Sequence, residues 1–295
     1  CELVTDLSRE NLLLKLPEFD GITLRRGKID REILNKCDKL KVIARHGVGY
    51  DSVDTVSLKE KGITLLVAHN STSTSPAEHI MFMIMNIYKG VSMFDTMVRN
   101  GDFVKAIHLN IEQNFELFDK TVLIAGFGRI GKKLIKKCLG FDMKVIVFDP
   151  YVDDKVIASF GGKKVSNLED ALKVADILSL SLPLNSETKN FITLREMKLM
   201  KKSSVIINAA RGGVVNEEDL NNALNNNIIA FAGIDVFEKE PPELTNPLLT
   251  NKKVVLSPHA ATFTKEGLES MAVETAQNII DFFENKIEST KIVKL

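Results

Sequence analysis

Short apolar runs alternate with amphipathic segments along most of this chain. A continuous apolar run such as TVLIA at 121–125 is typical of a strand that is covered on both faces of a sheet. Segments with helical spacing of apolar residues separate this run from similar ones on either side. The alternation predicts βαβ units and therefore an α/β fold with parallel sheets.

The pattern predicts a position for each element. We predict strands at 21–24, 41–44, 121–125, 144–148, 176–182, 204–209, 229–236 and 254–256. We predict shorter helices at 30–36, 52–61, 129–139, 167–174, 193–200 and 216–225. Two longer helices are expected at 76–98, with Pro76 in its first turn, and at about 264–285. Five of the nine methionines lie between Met81 and Met97, which favours a buried helix or a subunit interface over a ligand groove.

Length and charge narrow the class of protein. At roughly 100–200 residues per domain, 295 residues suggest two domains. The chain carries 39 basic and 39 acidic side chains, which argues against a nucleic-acid partner or a polybasic membrane anchor. No apolar run approaches the ~18–20 residues that span a bilayer. Cys1, Cys37 and Cys138 form no CxxC pair, so we expect no disulfide framework, no metal site and a cytoplasmic location.

A glycine-rich turn is the first candidate for chemistry. Gly126, Gly128 and Gly131 form a GxGxxG directly after a predicted strand and at the start of a predicted helix. This context is typical of dinucleotide binding, because the backbone can approach a pyrophosphate at the helix N-terminus. The next strand ends at Asp149, whose carboxylate can accept hydrogen bonds from both ribose hydroxyls of NAD and would repel the 2′-phosphate of NADP. The cofactor is therefore predicted to be NAD.

Four further segments resemble a known family. They are ARHGVGYD at 44–51, INAARGG at 207–213, IDVF at 234–237 with Glu240-Pro241, and SPHAA at 257–261. With the glycine-rich turn, they resemble the D-isomer-specific 2-hydroxyacid dehydrogenases, and among these the phosphoglycerate dehydrogenase and hydroxypyruvate/glyoxylate reductase branch. The resemblance implies two doubly wound parallel-sheet domains: a Rossmann NAD domain at 99–264 and a smaller flavodoxin-like substrate domain at 1–98 and 265–295. It also implies a homodimer formed through the NAD domain.

The resemblance implies a catalytic triad of Arg211, Glu240 and His259, and these residue types suit the chemistry. Arginine can hold a substrate carboxylate with its planar fork. Histidine can donate the proton that a 2-oxo acid needs on reduction, and a carboxylate on its other nitrogen favours the imidazolium. Taken singly, each of the three could also be a solvated surface residue. Each follows a predicted strand, where ligands of open parallel sheets bind.

The resemblance assigns further positions. The backbone N–H groups of Val48 and Gly49 would bind the substrate carboxylate, and Asp235 would bind the nicotinamide carboxamide. The remaining cofactor positions are Arg129, Ile130, Leu182, Pro183, Ala209, Ala210 and Ala261. Arg25 and Arg26 could form a solvated loop or recognise the phosphate of 3-phosphoglycerate. Thr72 lies near the place where the family often has an asparagine, so we expect no matching polar substrate contact there.

The expected activity is hydride transfer between NAD and a small anionic 2-hydroxy or 2-oxo acid, with 3-phosphoglycerate or glycerate/hydroxypyruvate as the best candidates. Two alternatives remain open at this point. One is an NAD(H)-sensing, corepressor-like binding protein of the same fold, and the other is a formate or phosphite dehydrogenase. The family resemblance also makes the start look short by roughly one βα unit, so Cys1 is expected to be an internal residue of a longer chain.

Overall fold

The computed structural model describes residues 1–69, 73–109 and 114–295. Its strands are β1 (Gly21–Leu24), β2 (Val42–Arg45), β3 (Thr64–Val67), β4 (Thr121–Ala125), β5 (Lys144–Phe148), β6 (Lys163–Lys164), β7 (Ile177–Leu180), β8 (Val205–Asn208), β9 (Phe231–Ile234) and β10 (Val254–Leu256). The α-helices are α1 (Arg9–Lys15), α2 (Arg31–Lys36), α3 (Thr55–Lys61), α4 (Thr74–Lys89), α5 (Val91–Arg99), α6 (Phe103–Ile107), α7 (Arg129–Leu139), α8 (Asp154–Ser159), α9 (Leu168–Val174), α10 (Leu194–Met197), α11 (Glu217–Asn225) and α12 (Lys265–Phe283).

The chain forms two compact units. Unit 1 comprises Cys1–Thr72 and Phe263–Leu295, and unit 2 comprises Ser73–Thr262. The α/β class with two parallel-sheet units is confirmed. Within the described ranges, no helix is both long and apolar enough to cross a membrane.

Unit 1 is a parallel sheet in the order β1-β2-β3 with helices on both faces. Alternate strand residues point to opposite sides, as the period of a strand requires. Ile43 and Leu65 pack with residues of α2 and α3 in one cluster. Val42, Ala44 and Leu66 pack on the other face against α12. The C-terminal helix α12 thus packs within unit 1.

Unit 2 is a parallel sheet whose described strands run in the order β10-β9-β8-β7-β4-β5-β6. Counted from β4, six of these strands follow the 3-2-1-4-5-6 order of the Rossmann fold. Val122 and Ile124 belong to the core under α4 and α7, and Leu123 and Ala125 to the core under α9, α10 and α11. The apolar run at 121–125 is thus buried on both sides, which is why it shows no alternation.

The predicted helix at 76–98 is wrong as a single element. The chain forms α4 and α5 instead, and Gly90 between them adopts the left-handed conformation with φ +60°. The Asn86 side chain accepts hydrogen bonds from both the backbone N–H and the hydroxyl of Ser92 across this break. A left-handed glycine ends helices in this way.

The observed boundary between the units lies at 72/73, whereas the sequence prediction divides the chain at 98/99. The difference arises from α4, which packs against α7 and the sheet of unit 2. Met81 and Met83 of α4 are buried there, as expected for methionines that fill a core. No residue of α5 is buried. The roles given to the two domains stay predictions.

Candidate functional site

The candidate site in unit 2 lies along the carboxyl edge of its parallel sheet. Five loops start where β4, β5, β8, β9 and β10 end. They carry the glycine-rich turn, Asp149, Arg211, Asp235 with Glu240, and His259. Since ligands of open α/β sheets bind outside these strand ends, next to the point where strand order reverses, the loops have the right position for a cofactor and a substrate. The reversal falls between β4 and β7.

The glycine-rich turn sits at that reversal and is sterically demanding. Gly126 has φ +95°, and a Cβ there would lie 2.6 Å from the carbonyl oxygen of Ser181. Only glycine fits such a position without moving the backbone. Gly128 is the N-cap of α7 with no side-chain cap, and Gly131 is buried in the first turn. The N-terminus of α7 thus lies beside the turn, and the positive end of a helix dipole there fits a pyrophosphate.

Asp149 is fixed at the end of β5 by backbone hydrogen bonds. One carboxylate oxygen accepts from the N–H of Phe127, in the glycine-rich turn, at 2.7 Å. The other accepts from the N–H groups of Tyr151 at 2.9 Å and Val152 at 3.2 Å. The carboxylate is therefore held beside the turn, and Oδ2, which accepts from one N–H group, keeps further acceptor capacity. Its predicted contact with a ribose stays a prediction.

Glu240 and His259 form a direct pair. The His259 Nδ1 lies 2.7 Å from Glu240 Oε2, and the other carboxylate oxygen accepts from the N–H of Phe237 at 3.1 Å. Burial raises the pKa of Glu240, but the hydrogen bond with His259 and the charges of His259 and Arg211 outweigh it and lower that pKa. Glu240 is thus an anion that holds one imidazole nitrogen and leaves Nε2 for chemistry.

Arg211 follows β8 and is placed by tight backbone packing. Its Nη1 donates to the carbonyl oxygen of Ala210 at 2.6 Å, and the Asn208 amide donates to the Arg211 carbonyl at 2.9 Å. At Gly212 the backbone approaches Phe237 so closely that a Cβ would lie 1.9 Å from the Phe237 carbonyl oxygen. This contact joins the arginine segment to the loop that carries Glu240. The predicted triad residues are therefore brought to neighbouring loops of one edge.

Asp235 is fully buried and ties down the loop that carries His259. Its carboxylate accepts from the N–H of Ala260 at 2.8 Å and of Ala261 at 3.0 Å. The Ser257 hydroxyl donates to it at 2.5 Å, and His79 Nε2 lies 3.5 Å away. These hydrogen bonds hold the loop in place. The predicted contact of Asp235 with the nicotinamide stays a prediction.

The pKa of this carboxyl follows from its partners. Burial raises it, but the nearby His79 side chain, the Ser257 hydroxyl and the backbone N–H of Ala260 outweigh burial and lower the pKa of Asp235 to about 2. A depressed pKa in the folded state means stability that is present above the unfolded value, about 3.9, and lost as the pH falls through 2.

We expect Asp235→Asn to lower the free energy of unfolding by about 2 kcal/mol at neutral pH. The difference from the wild type should shrink as the pH falls from about 4 to about 2, because the wild-type carboxylate is then protonated. Urea unfolding of both proteins at neutral and at acid pH measures this. A difference of equal size at both pH values would contradict the assignment of a bound, ionised Asp235.

The other predicted cofactor residues of unit 2 also lie at the carboxyl edge. Leu182 and Pro183 follow β7, with Pro183 exposed. Arg129 and Ile130 open α7, and Ala209 and Ala210 follow β8 as buried residues. Ala261 is buried in the loop after β10. Their contacts with a cofactor stay predictions.

In unit 1 the predicted substrate residues lie on two segments joined by one side chain. Arg25 and Arg26 are exposed after β1, and Val48 and Gly49 lie in the turn after β2. The Arg45 guanidinium donates to the carbonyl oxygens of Leu24 and Arg25 at 2.8 and 3.2 Å, and to that of Gly49 at 2.7 Å. Sequence reasoning missed this role of Arg45. Thr72 lies outside the described residues.

Sequence reasoning also missed His79 and Ser257. His79 lies on α4, far along the chain from the loop after β10, yet its Nε2 is 2.9 Å from the Ser257 hydroxyl. The SPHAA segment itself contains Ser257, but a serine before a proline carries no signal for a buried contact. A histidine among the apolar residues of α4 was the one available sign.

Fold and site together define a class of protein. The family model for the D-isomer specific 2-hydroxyacid dehydrogenase, NAD binding domain, matches residues 81–261. The chain belongs to this family and contains its NAD-binding domain. The resemblance seen in the sequence and the choice of NAD are thereby confirmed.

Particular relatives come from both enzyme groups that the sequence resembles. The D-3-phosphoglycerate dehydrogenase of Methanocaldococcus jannaschii is 36% identical over 279 residues, which are 94% of this chain and 52% of that protein. This chain thus spans about half the length of that relative. The glyoxylate reductase of Thermococcus litoralis is 36% identical over 287 residues, 96% of this chain and 86% of that protein.

A solved structure agrees with these sequence relatives. The D-lactate dehydrogenase from Aquifex aeolicus, complexed with NAD and lactic acid, superposes with a TM-score of 0.85 at 28% identity. The match covers 95% of this chain and 88% of that chain.

Proposed function

We propose that this chain transfers a hydride between NAD and a small D-2-hydroxy or 2-oxo acid. The observation that carries the proposal is the Glu240–His259 pair, 2.7 Å apart, on the same sheet edge as Arg211 and the glycine-rich turn. An acid–base histidine, an anion that orients it, and an arginine for a carboxylate are what this reaction needs beside a nicotinamide.

The proposed roles follow from the side chains. When bound, NAD supplies or accepts the hydride, and its holders would be the glycine-rich turn for the pyrophosphate and Asp149 for the ribose. Arg211 binds the substrate carboxylate with its planar fork and polarises the neighbouring C–O group. His259 gives a proton from Nε2 to the developing alkoxide in reduction and accepts the hydroxyl proton in oxidation. Glu240 holds Nδ1 and stabilises the imidazolium.

The substrate we propose is 3-phosphoglycerate or glycerate/hydroxypyruvate. Support comes from unit 1, where one guanidinium holds both the Arg25 backbone and the Gly49 backbone. Two exposed cations, Arg25 and Arg26, therefore lie beside the turn proposed to bind the substrate carboxylate. Charges so arranged suit a small acid with a second anionic group, such as a phosphate.

Arg25→Ala combined with Arg26→Ala should raise KM for 3-phosphohydroxypyruvate by about tenfold or more, since hydrogen bonds to a charged group are lost. KM for hydroxypyruvate should change by less than about twofold. Steady-state kinetics on both substrates measure the two effects. Lys36→Ala with Lys39→Ala removes the same charge from exposed positions of unit 1 and is the matched control. Equal effects on both substrates would reject phosphate recognition.

The general proposal is tested by a panel of 2-oxo acids with NADH, scored by oxidation of the cofactor. Turnover of hydroxypyruvate, glyoxylate or 3-phosphohydroxypyruvate supports it. Tight NADH binding without turnover of any of them would favour the corepressor-like sensor. NAD reduction by formate or phosphite, with none of the 2-oxo acids turned over, would favour that dehydrogenase.

We also propose a homodimer formed through unit 2. The support for the dimer is an exposed apolar surface on α5 and α6, formed by Met93, Val98, Phe103, Val104 and Ile107. Large exposed apolar patches mark interaction surfaces. The proposed dimer contact involves no residue of unit 1. The cytoplasmic location is proposed from the three cysteines, which form no CxxC pair.

Val104→Glu with Ile107→Glu should convert a dimer into a monomer, because two charges would be buried without partners. Light scattering after size exclusion distinguishes the 32.8 kDa of one chain from twice that mass. Val273→Glu, at an exposed position of α12, is the control and should stay dimeric. A monomeric wild type, or a double variant of unchanged mass, would contradict this interface.

A further inference from the structure

Three polar side chains form a hydrogen-bonded path from α4 to the loop that carries His259. His79 Nε2 lies 2.9 Å from the Ser257 hydroxyl, and this hydroxyl lies 2.5 Å from Asp235 Oδ1. The direct distance from His79 Nε2 to the same carboxylate oxygen is 3.5 Å. The His79 side chain is 17% exposed and that of Asp235 is 0% exposed, so little water competes for these bonds.

The number of available protons fixes which group donates and which accepts in each of these hydrogen bonds. An ionised carboxylate can only accept, so the one hydroxyl proton of Ser257 goes to Asp235. Ser257 must then accept from His79, and His79 must carry its proton on Nε2. Every polar atom along this path has a partner with this arrangement. Without the His79 side chain, the Ser257 oxygen loses the hydrogen bond that it accepts.

This hydrogen-bonded path ends at the backbone around His259. The Asp235 carboxylate holds the N–H groups of Ala260 and Ala261, and the Asp235 carbonyl oxygen accepts from the His259 N–H at 2.7 Å. His259 itself has φ +53°, a left-handed conformation that a residue with a side chain keeps only when its surroundings hold it there. The loop therefore depends on Asp235 being in place.

We propose that His79 is a positioning residue for the hydride transfer: through Ser257 it aligns the Asp235 carboxylate, which holds the backbone that aims the His259 imidazole. This inference rests on the function proposed above for His259. His79 touches neither substrate nor cofactor in this scheme. It acts by donating one hydrogen bond.

Two replacements of His79 separate the hydrogen bond from the bulk of the ring. His79→Leu removes the donor and keeps an apolar side chain in the helix, whereas His79→Gln can place an amide N–H near the position of Nε2. We expect His79→Leu to lower kcat about tenfold or more, since small misplacements of catalytic groups are costly. The KM for NADH should change by less than about threefold, and His79→Gln should restore most of kcat. Met85→Leu on the same helix is the control and should keep wild-type kinetics.

A second readout is independent of turnover. Hydrogen exchange at the amides of Ala260 and Ala261 should be faster in His79→Leu than in wild type, and close to wild type in His79→Gln. If wild type turns over none of the 2-oxo acids, the proposed function fails, and the exchange rates still decide the positioning role. Unchanged exchange in His79→Leu, or equal losses in both His79 variants, would overturn the inference.

Ser257→Ala tests the same hydrogen-bonded path if His79→Leu does not fold. It breaks the same path one residue later, so it should reproduce the loss of kcat and the faster exchange. A Ser257→Ala protein with wild-type kcat and wild-type exchange would also overturn the inference.

Discussion

His259→Gln should lower kcat for reduction of a 2-oxo acid by about 10²–10⁴-fold, the range for loss of a general acid. The side chain keeps a hydrogen-bonding group but can no longer deliver a proton to the developing alkoxide. Binding of NADH should stay within about threefold of wild type, because the change affects proton transfer and leaves the glycine-rich turn intact. Single-turnover kinetics and NADH fluorescence titration measure the two quantities.

A matched control for this prediction is His108→Gln, which replaces an exposed histidine of the same unit. It should leave kcat unchanged. If His259→Gln retained kcat, or if its loss came entirely from weaker NADH binding, His259 would not be the acid. The Glu240→Gln variant extends the test: the anion that holds Nδ1 is lost, so kcat should fall while NADH binding stays within about threefold of wild type.

Gly212→Ala should lower kcat/KM by about 10²-fold, although a single methyl group is added. Its Cβ would lie 1.9 Å from the carbonyl oxygen and 2.0 Å from the carbonyl carbon of Phe237. Both are backbone atoms, so no change of rotamer relieves the clash, and the segment with Arg211 must move away from the loop with Glu240. Overpacking of this kind also costs about 1–3 kcal/mol of stability.

The matched control is Gly140→Ala, at the exposed C-cap of α7. Gly140 has a helical φ of −65°, and the nearest atom to an added Cβ is 3.3 Å away. It should keep wild-type kcat/KM, as measured by steady-state kinetics on the same substrate. A Gly212→Ala enzyme with wild-type kcat/KM and unchanged thermal unfolding would show that this close approach does not position Arg211.

The α/β fold could be predicted from the sequence because its strongest signals are local. The strands at 121–125 and 144–148 and the helix at 129–139 match the structure to the residue, since their apolar runs and flanking glycines act within a few residues. The candidate site also followed, because parallel strands bring the segments after them to one edge. Arg211, Glu240 and His259 each follow a predicted strand, and so their proximity was implied.

What the sequence could not supply depends on contacts between distant segments. A histidine among the apolar residues of α4 does not show which group it contacts, because the 2.9 Å approach of His79 to Ser257 forms only when α4 packs on the sheet. The three backbone oxygens bound by Arg45 are likewise set by how β1 and β2 pair. The break at Gly90 was visible as a glycine, but a glycine inside an apolar helical pattern does not by itself show a left-handed φ.

The proposed reaction moves a hydride from NADH to C2 of a small 2-oxo acid. The most direct measurement incubates the protein with hydroxypyruvate, 3-phosphohydroxypyruvate or glyoxylate and NADH deuterated at C4 of the nicotinamide, and analyses the product by mass spectrometry and chiral chromatography. We expect a 2-hydroxy acid with deuterium at C2, of D configuration where C2 is a stereocentre. An L product, or NADH binding with no deuterated product from any of these acids, would contradict it.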